Sequence, residues 1–321
     1  MNLTNEDYNE ILAQYDEKQL ENDHLLKERR QELYEKLPEY KELDEEITSL
    51  YAMRARLLIR GDEAAILPVS EKIEDLERKQ KLLLTEAGYS INYLVPQYSC
   101  PICRDTGLVE GARCQCFKQA LTKRLYEKSN IKKVLETENF STLRHDLQIG
   151  EDLRLFEKAY AKSVKFVEEF GTTYSNLCFS GPVGTGKSFL SNCILNELLK
   201  QNYSCIYYTA PTLFDSIADY KFRRVQGIMN PTDLLYTCDL LVIDDLGTEM
   251  TNNFTVSEFL TLLNQRNLAR KATVISTNLS LENLNDTYSD RVFSRLFANF
   301  EICILSGQDI RSYLKQMQNR K

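Results

Sequence analysis

The chain has 321 residues, 43% hydrophobic and 27% charged, which excludes a largely disordered protein and gives room for about two folded domains. A formal net charge of −7 argues against non-specific duplex binding through the overall field. The start, MNLTNEDYNE, lacks the basic and apolar regions of a signal peptide, and no apolar run approaches the roughly 18 residues that span a bilayer; a cytoplasmic protein without membrane contact is expected.

The acidity is concentrated at the start. Residues 1–90 hold 22 acidic and 13 basic side chains, so the rest of the chain is net positive by 2. Ile47, Leu50, Tyr51, Leu57 and Leu58 recur at helical spacing, and after Arg60-Gly61-Asp62 a second set follows at Ile66, Val69, Ile73, Leu76 and Leu83. The pattern predicts packed helices ending near Gly88. Residues 1–97 are read as a helical partner-docking domain, because they carry no chemistry of their own.

Four of the nine cysteines crowd into Cys100-x2-Cys103-x10-Cys114-x-Cys116. Four thiolates at that spacing suit a closed, structural Zn²⁺ site, with Asp105-Thr106-Gly107 and Gly111 available for the turns. Cys178, Cys193, Cys205, Cys238 and Cys303 sit in apolar contexts and are read as small core residues. A basic helix follows: residues 104–134 hold eight Lys or Arg against three acids. Residues 98–134 are thus expected as a zinc module and basic helix, 135–150 as a linker, and 151–321 as an α/β domain of alternating helices and strands.

The α/β segment carries a phosphate loop. Asn176–Ser180 reads as a short strand, Leu190, Ile194, Leu195 and Leu198 mark a following helix, and between them runs Gly181-Pro182-Val183-Gly184-Thr185-Gly186-Lys187-Ser188, with Phe189 next. Glycines let backbone N–H groups turn inward around a phosphate, and the helix N-terminus adds partial positive charge. Lys187 is placed to bridge the β- and γ-phosphates of ATP, and Ser188 to ligate Mg²⁺. Leu240-Leu241-Val242-Ile243 then leads into Asp244 and Asp245. Asp244 is the candidate Mg²⁺ partner and Asp245 the candidate to orient the attacking water. A third strand, Ala272–Ser276, ends in Thr277-Asn278, where a polar side chain can reach the γ-phosphate or the water. Arg291 and Arg295 lie four apart on a predicted helix, a last strand spans roughly 300–305, and Arg311 follows. The helix ending Tyr220-Lys221-Phe222-Arg223-Arg224 interleaves cations with rings, which suits single-stranded DNA.

GPVGTGKS, LLVIDDLGTE, ISTN, DRVFSRL and GQDIR together resemble the AAA+ ATPases of the DnaC/DnaI helicase-loader type, with the IstB transposition helpers as close cousins. CPICRDTG…GARCQC resembles the zinc module of DnaI-like loaders. The resemblance implies a three-layer core with a parallel sheet in the order 5-1-4-3-2, and self-association around ATP or ADP. It implies Asn278 as sensor 1, Arg295 as arginine finger with Arg291 as the alternative, and Arg311 as sensor 2. It also implies that residues 1–97 dock on a hexameric replicative helicase, so that the protein loads that helicase on single-stranded DNA. Two alternatives stand beside it: an ATPase assisting a transposase, and a nucleotide-bound scaffold that scarcely hydrolyses. The sequence departs from the family in two respects. Asp245 stands where many AAA+ proteins have Glu, which predicts slow basal turnover. The short tail leaves no room for a full lid domain, so Arg311 must act from it.

Overall fold

The helical rhythm of the first ninety residues folds as three helices: α1 (Asn5–Lys36), α2 (Pro38–Arg60) and α3 (Glu63–Glu86). Pro38, without an N–H to leave unpaired, opens α2. Gly61 closes it at φ 72°, a left-handed conformation that glycine adopts without a Cβ clash, and Asp62 then caps α3 by accepting from the Ala65 N–H at 3.3 Å. The computed structural model describes residues 5–127, 131–223 and 231–318. They fall into two compact units, Ala13–Gly107 and Met1–Leu12 with Leu108–Lys321.

In the helical unit, Ile47, Ile73 and Leu76 form one small core, and Leu33, Tyr40 and Leu84 another. Tyr51 and Leu58, expected on the same inward stripe, remain exposed. Residues 5–12 group with the other unit, unlike the expected boundary near 97. The reason is local packing: the Tyr8 ring meets Phe117 edge-on at 5.4 Å, and Asp7, 1% exposed, accepts from Arg124 Nε at 3.0 Å.

The second unit continues with the hairpin β1 (Leu108–Val109) and β2 (Ala112–Arg113), then α4 (Gln115–Glu127) and α5 (Ile131–Thr137). Its α/β part runs α6 (Gly150–Glu168), β3 (Leu177–Ser180), α7 (Lys187–Lys200), β4 (Cys205–Thr209), α8 (Ala210–Arg223), α9 (Pro231–Thr237), β5 (Leu240–Leu246), α10 (Asn253–Leu268), β6 (Ala272–Thr277), α11 (Leu281–Asn299), β7 (Glu301–Ile304) and α12 (Ile310–Gln318). The strands pair in parallel in the order β4-β5-β6-β3-β7. Numbered within this sheet from its first strand, that is the expected 5-1-4-3-2. β3 and β6 are buried at every residue, as parallel strands sandwiched between crossover helices must be.

Residues 135–150, expected as a linker, instead contribute to this core: Leu135 is buried in it, with Phe140 and Leu143 packed against it. Their apolar side chains are spaced too irregularly to announce an element. Among the described residues no helix is long and apolar enough to cross a membrane.

Candidate functional site

β3, β5 and β6 end on the same edge of the sheet, because parallel strands joined by crossovers all point one way. The loop from β3 into α7 lies there. Gly184, at φ 78°, packs so closely on the tail that a Cβ would come within 1.9 Å of Asp309 Oδ1. The Ile310 N–H donates to Gly184 O at 3.0 Å, so α12 starts directly against the loop. Thr185 and Lys187 are buried, and Gln148 Nε2 donates to Thr185 O at 3.2 Å.

Lys187 Nζ donates to Gly181 O at 2.8 Å and to Pro182 O at 2.6 Å. Burial pulls its pKa below the ordinary lysine value, and the charges of Asp245 and Asp244 oppose that shift. The ammonium thus rests on loop carbonyls, a neutral ligand set that a phosphate can replace.

Asp244, 4% exposed, is held by three hydroxyls. Ser188 Oγ donates to its Oδ1 at 2.9 Å, Ser276 Oγ donates to the same oxygen, and Tyr207 OH donates to Oδ2 at 2.7 Å. The parallel register slips between Ile243 and Leu246, and Asp245 takes φ 56°, turning its side chain away from the strand alternation. Its N–H donates to Ser276 Oγ at 3.0 Å, and its carboxylate lies 3.5 Å from Asn278 Nδ2. Burial raises the Asp245 pKa, and the neighbouring Asp244 charge adds to the shift, while Lys187 and Arg311 oppose it. Arg311 bears electrostatically on Lys187 as well. Lys187, Ser188, Asp244, Asp245, Asn278 and Arg311 therefore converge on one site.

Arg291 and Arg295 do not join it. Both are exposed on α11, and Arg295 lines a small hollow with Tyr174, Asn176, Asn267 and Thr273, at the edge where β3 and β6 begin. The length of β3, about 13 Å at 3.3 Å per residue, separates that edge from the phosphate loop. Sequence reasoning missed Tyr207 and Ser276. Each is an ordinary strand residue until the pairing of β4, β5 and β6 is known.

For the DNA candidates, Lys221 Nζ sits 2.5 Å from Glu258 Oε1, so its charge is already paired. Phe222 is 71% exposed, with its ring 5.1 Å from that of Phe254. Arg223 ends α8, and Arg224 lies outside the described residues.

The sulfurs of Cys100, Cys103, Cys114 and Cys116 lie within 4.8 Å of one another. Tetrahedral zinc at about 2.3 Å from each sulfur needs sulfur separations of about 3.8 Å, which this cluster accommodates. Asp105 organises the approach by accepting from the Ser99 and Cys100 N–H groups at 2.8 Å each. The other five cysteines are buried as expected, and burial pushes the Cys178 thiol up to about 12.

Residues 118–305, more than half of the chain, match the IstB-like ATP binding protein family. The chain belongs to this family. Over 211 residues it is 25% identical to the replicative helicase loader DnaC of Escherichia coli (strain K12), covering 64% of this chain and 82% of that one. It is 28% identical to the putative insertion sequence ATP-binding protein y4pL of Sinorhizobium fredii (strain NBRC 101917 / NGR234) over 185 residues, 54% of this chain and 72% of that one. Among solved structures, a crystal structure of the DnaC helicase loader aligns with a TM-score of 0.47 and 19% identity, over 54% of this chain and 99% of that chain.

Proposed function

We propose that this IstB-like protein is an ATP-dependent loader of a hexameric replicative helicase onto single-stranded DNA. The convergence of Lys187, Ser188, Asp244, Asp245, Asn278 and Arg311 at the sheet edge carries the ATPase part of this reading. Lys187 and the backbone N–H groups of residues 183–189 would hold the phosphates, and Ser188 with Asp244 would hold Mg²⁺, which would neutralise charge on the phosphates. Asp245 accepts the proton of the attacking water and Asn278 orients that water. Arg311 adds positive charge from α12. Arg295 sits too far from its own phosphate loop to serve it, which supports its action, or that of Arg291, at the site of an adjacent subunit.

The similarity to DnaC supports the helicase-loading part, and the separate acidic helical unit supplies a surface for docking. The four cysteines would hold a structural zinc ion. Basal turnover is expected to be slow, because Asp245 is one methylene shorter than the common Glu and holds the attacking water less closely.

Light scattering of the protein mixed with a replicative helicase from its host, with and without ATP, tests this reading. A nucleotide-responsive complex that disappears when residues 1–97 are deleted is expected. No complex under any condition would reject it. The similarity to y4pL favours a second reading, an ATPase assisting a transposase, whose signature is nucleotide-dependent binding to duplex DNA and to that transposase.

A further inference from the structure

The turn after Asp245 is tied to α11 by buried groups that the site described above does not use. Thr248 returns to Asp245, its N–H and hydroxyl donating to Asp245 O at 3.2 and 2.8 Å. Glu249, 8% exposed, accepts from the Gly247 N–H at 2.9 Å through Oε2. Its other oxygen, Oε1, accepts from the hydroxyl of Tyr288. Tyr288 is fully buried, with its ring 5.5 Å from that of Phe259. The next residue, Ser289, breaks α11 at φ 80° and ψ 155°, a region populated almost only by glycine. The arginines follow immediately: Arg291 is two residues past the break, and Arg295 one helical turn further on.

A non-glycine residue persists in such a conformation only where its surroundings over-determine it. Here the over-determination has a visible source. On one side of Ser289, Tyr288 is fixed to the turn that carries Asp245. On the other, buried Val292 and Leu296 fix the second half of α11 to the core. The bridge Gly247–Glu249–Tyr288 therefore sets where the arginine-bearing half of α11 starts, relative to the Asp245 turn.

We propose that Glu249 and Tyr288 are positioning residues that couple the Asp245 turn of one subunit to the arginines it presents to the next. When Asp245 shifts with the state of its own site, Glu249 and Tyr288 carry the shift into α11 and thence to the neighbouring site. The inference rests on the shared-site part of the proposed function, not on helicase loading.

Mixing subunits tests it, with ATP turnover as the readout. Tyr288→Phe keeps the buried ring and removes the bridging hydroxyl; its turnover is expected to fall about tenfold or more, as displacement of a charge-stabilising group does. None of the groups proposed to hold the phosphates or Mg²⁺ touches Tyr288, so the ATP-induced thermal shift is expected to be unchanged. Mixed with Lys187→Ala, which lacks a working site but presents normal arginines, Tyr288→Phe regains activity above the average of the two. Mixed with Arg295→Ala it does not, because both lack a competent donor helix. Glu249→Gln preserves the bridge, its amide donating to Tyr288 and its carbonyl accepting from Gly247, and stays near wild type, whereas Glu249→Ala behaves like Tyr288→Phe. Three outcomes overturn the proposal. They are undiminished turnover in Tyr288→Phe, rescue by Arg295→Ala but not by Lys187→Ala, and a loss in Glu249→Gln as large as in Glu249→Ala. Turnover by isolated wild-type subunits, independent of concentration, overturns the shared-site reading itself and the inference with it.

Discussion

Tyr207 donates its hydroxyl to Asp244 Oδ2 at 2.7 Å, opposite the oxygen that receives Ser188 and Ser276. Tyr207 stands on β4 and Asp244 on the adjacent β5, so the pairing of two parallel strands fixes the orientation of the carboxylate proposed to hold Mg²⁺. If Ser188 holds Mg²⁺ as proposed, Tyr207 and Ser276 would still hold the carboxylate. A hydrogen bond to a charged acceptor contributes about 1.5–3 kcal/mol. Tyr207→Phe is therefore expected to weaken ATP binding in Mg²⁺ by roughly tenfold, since about 1.4 kcal/mol is a factor of ten. Affinity measured in excess chelator should not change. A titration with a fluorescent ATP analogue distinguishes the two, and equal losses in both conditions would remove Tyr207 from the metal's support.

Lys187 is buried against carbonyls, which leaves its charge poorly compensated in the free protein. Because burial lowers its folded pKa, the protonated lysine works against folding, and that cost lessens as pH rises from the lowered value towards the ordinary 10.5. Lys187→Met fills a similar volume without charge. Its unliganded melting temperature should equal or exceed that of the wild type at neutral pH. The wild type should gain about 2.7 kcal/mol at ATP concentrations near 100 times Kd, and the variant almost nothing. A lower unliganded melting temperature in the variant would contradict the assignment of unfavourable burial.

In the proposed role Asp245 must be ionised to accept a proton, and its raised pKa is expected to move the acid limb of turnover above the ordinary carboxylate value of 3.8. The fold binds this proton more tightly than the unfolded chain does. Asp245 therefore favours the fold most below 3.8, and that contribution is lost as pH rises through its raised value. Arg311 opposes the upward shift, so Arg311→Ala should move the acid limb further up, along with any loss of rate. A pH profile of turnover reads this directly; an unmoved limb would mean that Arg311 does not act on Asp245.

The four-cysteine cluster predicts stoichiometric zinc. Purified protein should carry one zinc ion per chain by elemental analysis, and Cys103→Ser should lose it. Because a structural metal contributes folding energy, hydrogen exchange in residues 99–117 should accelerate after strong chelation. Exchange that is indifferent to the chelator would leave the thiols without a metal role.

Much of the site was legible because it is local in sequence. GPVGTGKS places its glycines, lysine and serine within eight consecutive residues, and the apolar run before Asp244 marks a buried strand end whatever the rest of the chain does. The spacing of the four cysteines anticipated the cluster of their sulfurs for the same reason. The helical pattern of residues 1–90 was likewise readable, since amphipathic periodicity and the Gly61 break act within a few turns.

What the sequence by itself determined about this protein is the set of short-range devices: the phosphate loop, the paired acids, the thiol cluster and the helix boundaries. Only the tertiary structure decided which distant residues meet them. It brought Tyr207 and Ser276 to Asp244, Asp309 to Gly184, and Tyr288 to Glu249, and it set Arg295 at the opposite edge of the sheet from the loop. It also drew residues 135–150 into the core. Those contacts depend on strand order and on the closure of long loops around one buried sheet, and neither leaves a periodic signal in the neighbourhood of any single residue.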